Sequence, residues 1–219
     1  MKSSVEPISG VALEWGIANT TDQYMFKIYA GQLSIIRRST VPLSVDVLTR
    51  NGLDPTEISS IQINGRSYNT VQPEIPSGDP FDVRPGLGPY SSETQQNERA
   101  VNYHTIEIPR DKFNGDPLNG NGPSGYNILP QNVTMWKIEF GWYGAIGARF
   151  YAYIPAGTGD ARWVVVHTLV IENQLRGPCL EDSYFRFKYT LNCFNNSRIT
   201  QPQFLYKYGA SYYIDGGDE

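Results

Sequence analysis

Histidine and cysteine are scarce in this chain, two of each among 219 residues, and that scarcity removes much of the chemistry a sequence can advertise. Both histidines, His104 and His167, fall inside strand-like segments, so no base stands ready to activate a Ser, Thr or Cys nucleophile. Cys179 and Cys193 are too few to define a disulfide framework, and with the histidines far off they draw no zinc site; two reduced, half-buried thiols are expected. Charged residues are only 18%, the net charge is −4, and the longest basic run is Arg37-Arg38. No stripe of cations is available for a phosphate backbone, and nucleic acid is not an expected partner. No stretch of 18 apolar residues occurs, and MKSSVEPISG at the start has no apolar run behind it. A soluble chain without a signal peptide or membrane contact is expected. In that setting the sequons at Asn19, Asn132 and Asn195 carry no weight. No phosphate-cradling glycine loop precedes a helix, no cofactor motif is visible, and no amphipathic helical pattern reaches ten residues.

What the chain does have is strand and turn material: 15 Tyr, 21 Gly and 15 Pro within a composition that is 40% hydrophobic. The length suits one β domain spanning 1–219 that folds without staples. Tyr24 to Tyr29 (YMFKIY) and Leu33 to Arg38 (LSIIRR) alternate around Ala30-Gly31, which predicts a hairpin. Arg37 and Arg38 must then point to opposite faces, so at most one can face a partner while the other is solvated or paired. Asp54-Pro55-Thr56-Glu57 carries capping residues for a single helical turn, and Asn64-Gly65 within IQINGRSY signals another hairpin. Tyr103 to Ile108 reads as a strand. The clearest alternation is Met135 to Tyr143 (MWKIEFGWY), with Trp136, Ile138, Phe140 and Trp142 on one face and Lys137, Glu139 and Gly141 on the other. Arg149 to Ile154, Arg162 to Ile171 and Tyr184 to Leu191 follow as strands, the second apolar enough to be buried on both faces. The expected architecture is an all-β antiparallel sandwich of jelly-roll type, with the stretches around Trp136, Val165 and Phe187 in one layer.

Two segments depart from this pattern. Between Gln72 and Arg99 periodicity vanishes and Pro73, Pro76, Pro80, Pro85 and Pro89 appear, followed by Tyr90. Such a loop suits an intersubunit arm, because stiff residues lose less entropy on docking; a plain surface excursion or a ligand lid are the alternatives. The tail from Gln203 to Glu219 holds Tyr206, Tyr208, Tyr212 and Tyr213, which fit an edge strand or a contact with a neighbour.

Three constellations invite chemistry. Asp111, Asn114, Asp116 and Asn119 supply hard oxygens within DKFNGDPLNGNGPSGY, but off EF-hand spacing, and turns use the same residues. Glu139 beside aromatic residues is the best glycosidase carboxylate, yet Met135, Lys137 and Gly141 leave it no acidic partner on its strand face; pairing with Lys137 or Arg149 is the simpler expectation. Trp15, Tyr143, Tyr151 and Tyr153 are candidates for stacking on sugar rings, although aromatic strand residues more often fill a core.

The order of several segments resembles a module of structural proteins from marine and cyanobacterial tailed phages, with relatives in some large DNA viruses. They are Ile35-Ile36-Arg37-Arg38-Ser39, then DKFNGDPLNG followed by SGYNILP, Ile138-Glu139-Phe140-Gly141-Trp142-Tyr143-Gly144, Gly147-Ala148-Arg149-Phe150, the strand bearing His167, the Asn173 turn and Phe185-Arg186-Phe187-Lys188-Tyr189. The resemblance covers about residues 25–191. It implies a virion component in a tail, baseplate, fibre or capsid-associated position, with other virion proteins and copies of itself as partners and no catalytic residue to carry over. A host-surface glycan is the alternative partner, and glycoside hydrolysis the third reading.

Overall fold

A computed structural model describes residues 2–3, 11–41, 43–53, 104–141, 147–155, 159–171, 179–181, 184–193 and 204–213. Among the described residues ten strands carry the fold: β1 (Lys2–Ser3), β2 (Val11–Ala18), β3 (Asp22–Tyr29), β4 (Gln32–Ser39), β5 (His104–Pro109), β6 (Met135–Phe140), β7 (Ala148–Pro155), β8 (Ala161–Leu169), β9 (Arg186–Cys193) and β10 (Leu205–Tyr206). They form a five-stranded sheet in the order β5-β4-β3-β2-β9, a three-stranded sheet β6-β7-β8, and the pair β1-β10. All the pairings are antiparallel. This is the all-β sandwich that the alternation predicts.

The β3–β4 hairpin turns at Ala30-Gly31, where both φ angles are positive (47° and 75°), the primed-turn geometry that matches strand twist. Period-two alternation then sends Leu13, Trp15, Tyr24, Phe26, Ile28, Leu33 and Ile35 to one face. That face meets the inner face of the three-stranded sheet through aromatic rings: Trp15 lies 5.2 Å from Trp136, and Phe26 lies 4.5 Å from Trp136 and 5.4 Å from Phe150, centroid to centroid. Rings of this size contribute the largest share of buried area in a core, and tilted contacts suit their quadrupoles.

The structure corrects several expectations. β2, which sequence patterning did not single out, is a central strand: it pairs with both β3 and β9. Consequently the stretch around Phe187 belongs to the five-stranded sheet and not to the layer holding Trp136 and Val165. The far edge of β8 is closed to β9 by another segment, because Gly115 N–H donates to Val166 O (3.2 Å) and Asp116 N–H to Val165 O (2.9 Å). Nor is β8 buried on both faces. A bulge opposite Phe150/Tyr151 lets Val166 and His167, consecutive residues, both lie buried, while Trp163 and Val165 stay on the exposed side.

Arg37 and Arg38 do point to opposite faces, but neither is solvated. Arg37 donates to the carbonyls of Val41 (3.0 Å) and Cys179 (2.7 Å), and Arg38 grips the Glu14 carboxylate with two bonds of 2.9 Å. A short helix, α1 (Val45–Arg50), is capped by Ser44 and tied to the sandwich by Asn51, whose amide donates to Val47 O and Val170 O and accepts from Val170 N–H. The helical turn at Asp54–Glu57, the Asn64-Gly65 hairpin and the 72–99 segment, with all five of its prolines and Tyr90, lie outside the described residues.

Candidate functional site

Three groups of polar and aromatic residues are assembled by this fold, and they differ in exposure. The first lies on the face of the five-stranded sheet turned away from the aromatic core. Glu14, Gln23, Lys27, Ser34, Arg38 and Lys188 are all buried there. Gln23 Oε1 accepts from Arg38 and from Lys188, each at 3.2 Å, and Glu107 accepts from Lys27 (2.8 Å) and Ser34 (2.7 Å). Burial pushes the Glu14 carboxyl up, but Arg38 beside it, helped by Lys188 and Lys27, outweighs this and holds it at about 2. Burial, reinforced by the neighbouring Arg38 charge, lowers the Lys188 ammonium to about 7. A buried, charge-assisted network of this kind links neighbouring strands and favours one register, although Gln23 Nε2 within it has no hydrogen-bond partner among the described residues.

The second group is the segment from Phe113 to Ile128. Asn114 behaves as a strand residue by proxy: its side chain accepts from Thr168 N–H and donates to Thr168 O, both at 2.7 Å. Asp116 is buried and spends its carboxylate on Leu118 N–H (2.8 Å) and Ser124 N–H (2.7 Å). These are turn functions, and among the described residues no group of three acidic, His or Cys side chains is placed to hold a metal ion. His167 is fully buried, with Nδ1 accepting from Asn114 N–H (3.2 Å), and burial lowers it to about 4. His104, by contrast, is half-buried at the start of β5.

The third group is exposed. The outer face of β6-β7-β8 brings together Met135, Lys137 and Glu139 with Arg149, Tyr151 and Tyr153, and with Trp163 and Val165. Met135 is 52% exposed and Trp163 40%. Lys137 bonds Glu139 at 2.7 Å and sits 4.1 Å above the Tyr151 ring and 5.3 Å from that of Trp163. Tyr151 O–H donates to the other Glu139 oxygen (2.6 Å), and Tyr153 meets Trp163 edge-on at 5.3 Å. Burial raises the Glu139 carboxyl, but the bonds from Lys137 and Tyr151 hold it below the ordinary carboxylate range. The Lys137 pairing expected for Glu139 is therefore present. Of the four aromatic residues considered for sugar contact, Trp15 is in the core, Tyr143 lies outside the described residues, and Tyr151 and Tyr153 stand on this face. Trp163 completes the cluster. It was hidden by the apolar run WVVVHTLV, which reads as doubly buried until the bulge in β8 is known.

The tail tyrosines form a separate strip. After the short β1–β10 pairing, Tyr206, Tyr208, Tyr212 and Tyr213 are all exposed, the last two at 80% and 86%, together with Phe204. The strip follows β9: Lys207 lies 5.1 Å from the Tyr189 ring, and Tyr212 lies 6.5 Å from Phe187. No helix among the described residues is long and apolar enough to cross a membrane.

These features define an antiparallel β-sandwich with two exposed aromatic surfaces. No family model, no curated protein and no solved structure matches this chain.

Proposed function

We propose that this protein is a non-enzymatic structural module of a virion-type assembly, acting through protein–protein interfaces that include contacts between its own copies. The observation that carries the reading is the tail strip: Phe204, Tyr206, Tyr208, Tyr212 and Tyr213 stand exposed along one edge of the sandwich. Five such rings, Phe204 and Tyr206 about half exposed and Tyr212 and Tyr213 mostly so, offer area on the order of the roughly 800 Å² that one partner contributes to a standard interface. The ordered resemblance over residues 25–191 supports placing this assembly in a viral particle. The polar chemistry near the sandwich is otherwise engaged, with Glu139 held by Lys137 and Tyr151 and His167 buried against Asn114, which favours a structural role over a catalytic one.

Sedimentation velocity across a concentration series tests this. The chain is expected to self-associate as concentration rises. Replacing Tyr206, Tyr208, Tyr212 and Tyr213 together by Ser should leave a monomer with unchanged circular dichroism. A wild-type chain that stays monomeric throughout, or a variant that associates equally well, would overturn the reading.

A further inference from the structure

From the outer face of β6-β7-β8 we infer a second activity, independent of the assembly reading: this face binds a polysaccharide chain carrying carboxylate groups. Sugar recognition asks for two things side by side, rings on which the C–H face of a pyranose can lie and fixed polar groups for the hydroxyls. Here the antiparallel register puts them in adjacent rows. Met135, Tyr153 and Trp163 stand opposite one another at one end, and Lys137, Tyr151 and Val165 form the next row. Glu139 faces Arg149 beyond them. Neighbours within a row are about 4.8 Å apart across the strands, and two residues of strand rise set successive rows roughly 6–7 Å apart, distances comparable to one sugar ring.

The polar groups are already held in place. Glu139 is gripped by Lys137 and Tyr151, and Lys137 is steadied over the Tyr151 and Trp163 rings. Little side-chain entropy remains to be lost when a ligand arrives. The charges also select among occupants. A protein partner would have to bury Lys137, Glu139 and Arg149 at the middle of the contact, and interface cores are depleted in charge. A single-stranded nucleic acid needs a track of cations, whereas this face interrupts its two cations with a carboxylate on a chain of net charge −4. A hydroxyl-rich chain leaves the charges partly hydrated and bonded. Two cations against one carboxylate leave a local surplus of one positive charge, which complements a uronate.

Affinity electrophoresis of the full chain, in gels containing alginate, polygalacturonate, hyaluronan, neutral dextran or oligo-dT, tests the proposal. Retardation by at least one of the three uronate polymers, weakening as NaCl is raised, and absent with dextran and oligo-dT, is expected. Trp163→Ala and the double variant Lys137→Met with Arg149→Met should each weaken that retardation about tenfold or more. The four-tyrosine tail variant should bind as the wild type does, which separates this site from the assembly surface. Circular dichroism checks that each variant is folded. If Trp163→Ala fails that check, Trp163→Tyr and the double variant carry the test. Failure to bind any uronate polymer, equal or stronger binding of dextran or oligo-dT, or uronate binding that the folded variants leave unchanged would each overturn the inference.

Discussion

At the scale of single residues, His167 shows how burial converts an ordinary side chain into a pH-dependent element of stability. Its ring is fully buried, and Nδ1 accepts the Asn114 N–H, a bond that only the unprotonated nitrogen can take. Burial depresses its value to about 4, while the unfolded chain protonates near 6.5. Below pH 6.5 the unfolded state gains a proton that the folded state refuses, so this contribution is whole above that pH and declines as pH falls towards 4. By pH 5 the loss should reach about 2 kcal/mol. Urea unfolding at pH 7 and pH 5 is the check: the wild type should lose about that amount, and His167→Gln should lose less than half of it. Glu14 acts lower on the scale. Its carboxyl is held at about 2 against an ordinary 4.5, so its stabilising charge persists down to about pH 4.5 and is lost between there and pH 2. The residues that report most on this fold were visible as letters but not as partners, since nothing in VVVHTLV or VALEWGIA names Asn114 or Arg38.

Among the elements, the segment from Phe113 to Ile128 deserves comparison with its prediction. Its density of Gly, Asn and Asp correctly indicates turns, yet those turns serve to seal the edge of β8. Exposed edges invite pairing with other chains, and covering one with a loop is a recognised protection. Gly115 makes the close approach feasible, because a Cβ at that position would run into the carbonyl oxygens of Val165 and Val166. Gly115→Ala should therefore lift the segment off β8. The expected outcomes are faster hydrogen exchange at Asp116 and Thr168 and greater aggregation on heating. Exchange at these amides unchanged from the wild type would contradict that account. Asn114→Ala, which removes both side-chain bonds to Thr168, should cost about 1–3 kcal/mol in the same urea assay. The helix was equally hard to foresee: Ser44 caps α1 through Val47 N–H, but six residues are too few for a helical period to show.

For the molecule as a whole, among the described residues the five-stranded sheet draws β2, β3 and β4 from before the 72–99 segment and β5 and β9 from after it, while β6, β7 and β8 all follow it. Deleting Gln72 to Arg99 should accordingly leave the circular dichroism and thermal unfolding of a β-sandwich in place. On the assembly-arm reading it should also abolish oligomerisation, and sedimentation of the deletion variant decides the matter. By itself the sequence determined the class of fold, the β3–β4 hairpin and the strands β5, β6, β7 and β9 to within a few residues. It also determined which side of β6 is polar. Each of these depends on alternation or turn chemistry within a dozen residues, where the covalent chain places the interacting groups. Tertiary structure alone decided that β9 pairs with β2, that β8 bulges to turn Trp163 outward, and that Glu14, Arg38, Gln23 and Lys188 meet on one buried face. Those outcomes join residues as much as 182 positions apart, Val11 and Cys193 in the β2–β9 pairing among them, and depend on which edge another segment has already covered. Periodicity says which way a side chain points, but only the packed sheets say what it points at.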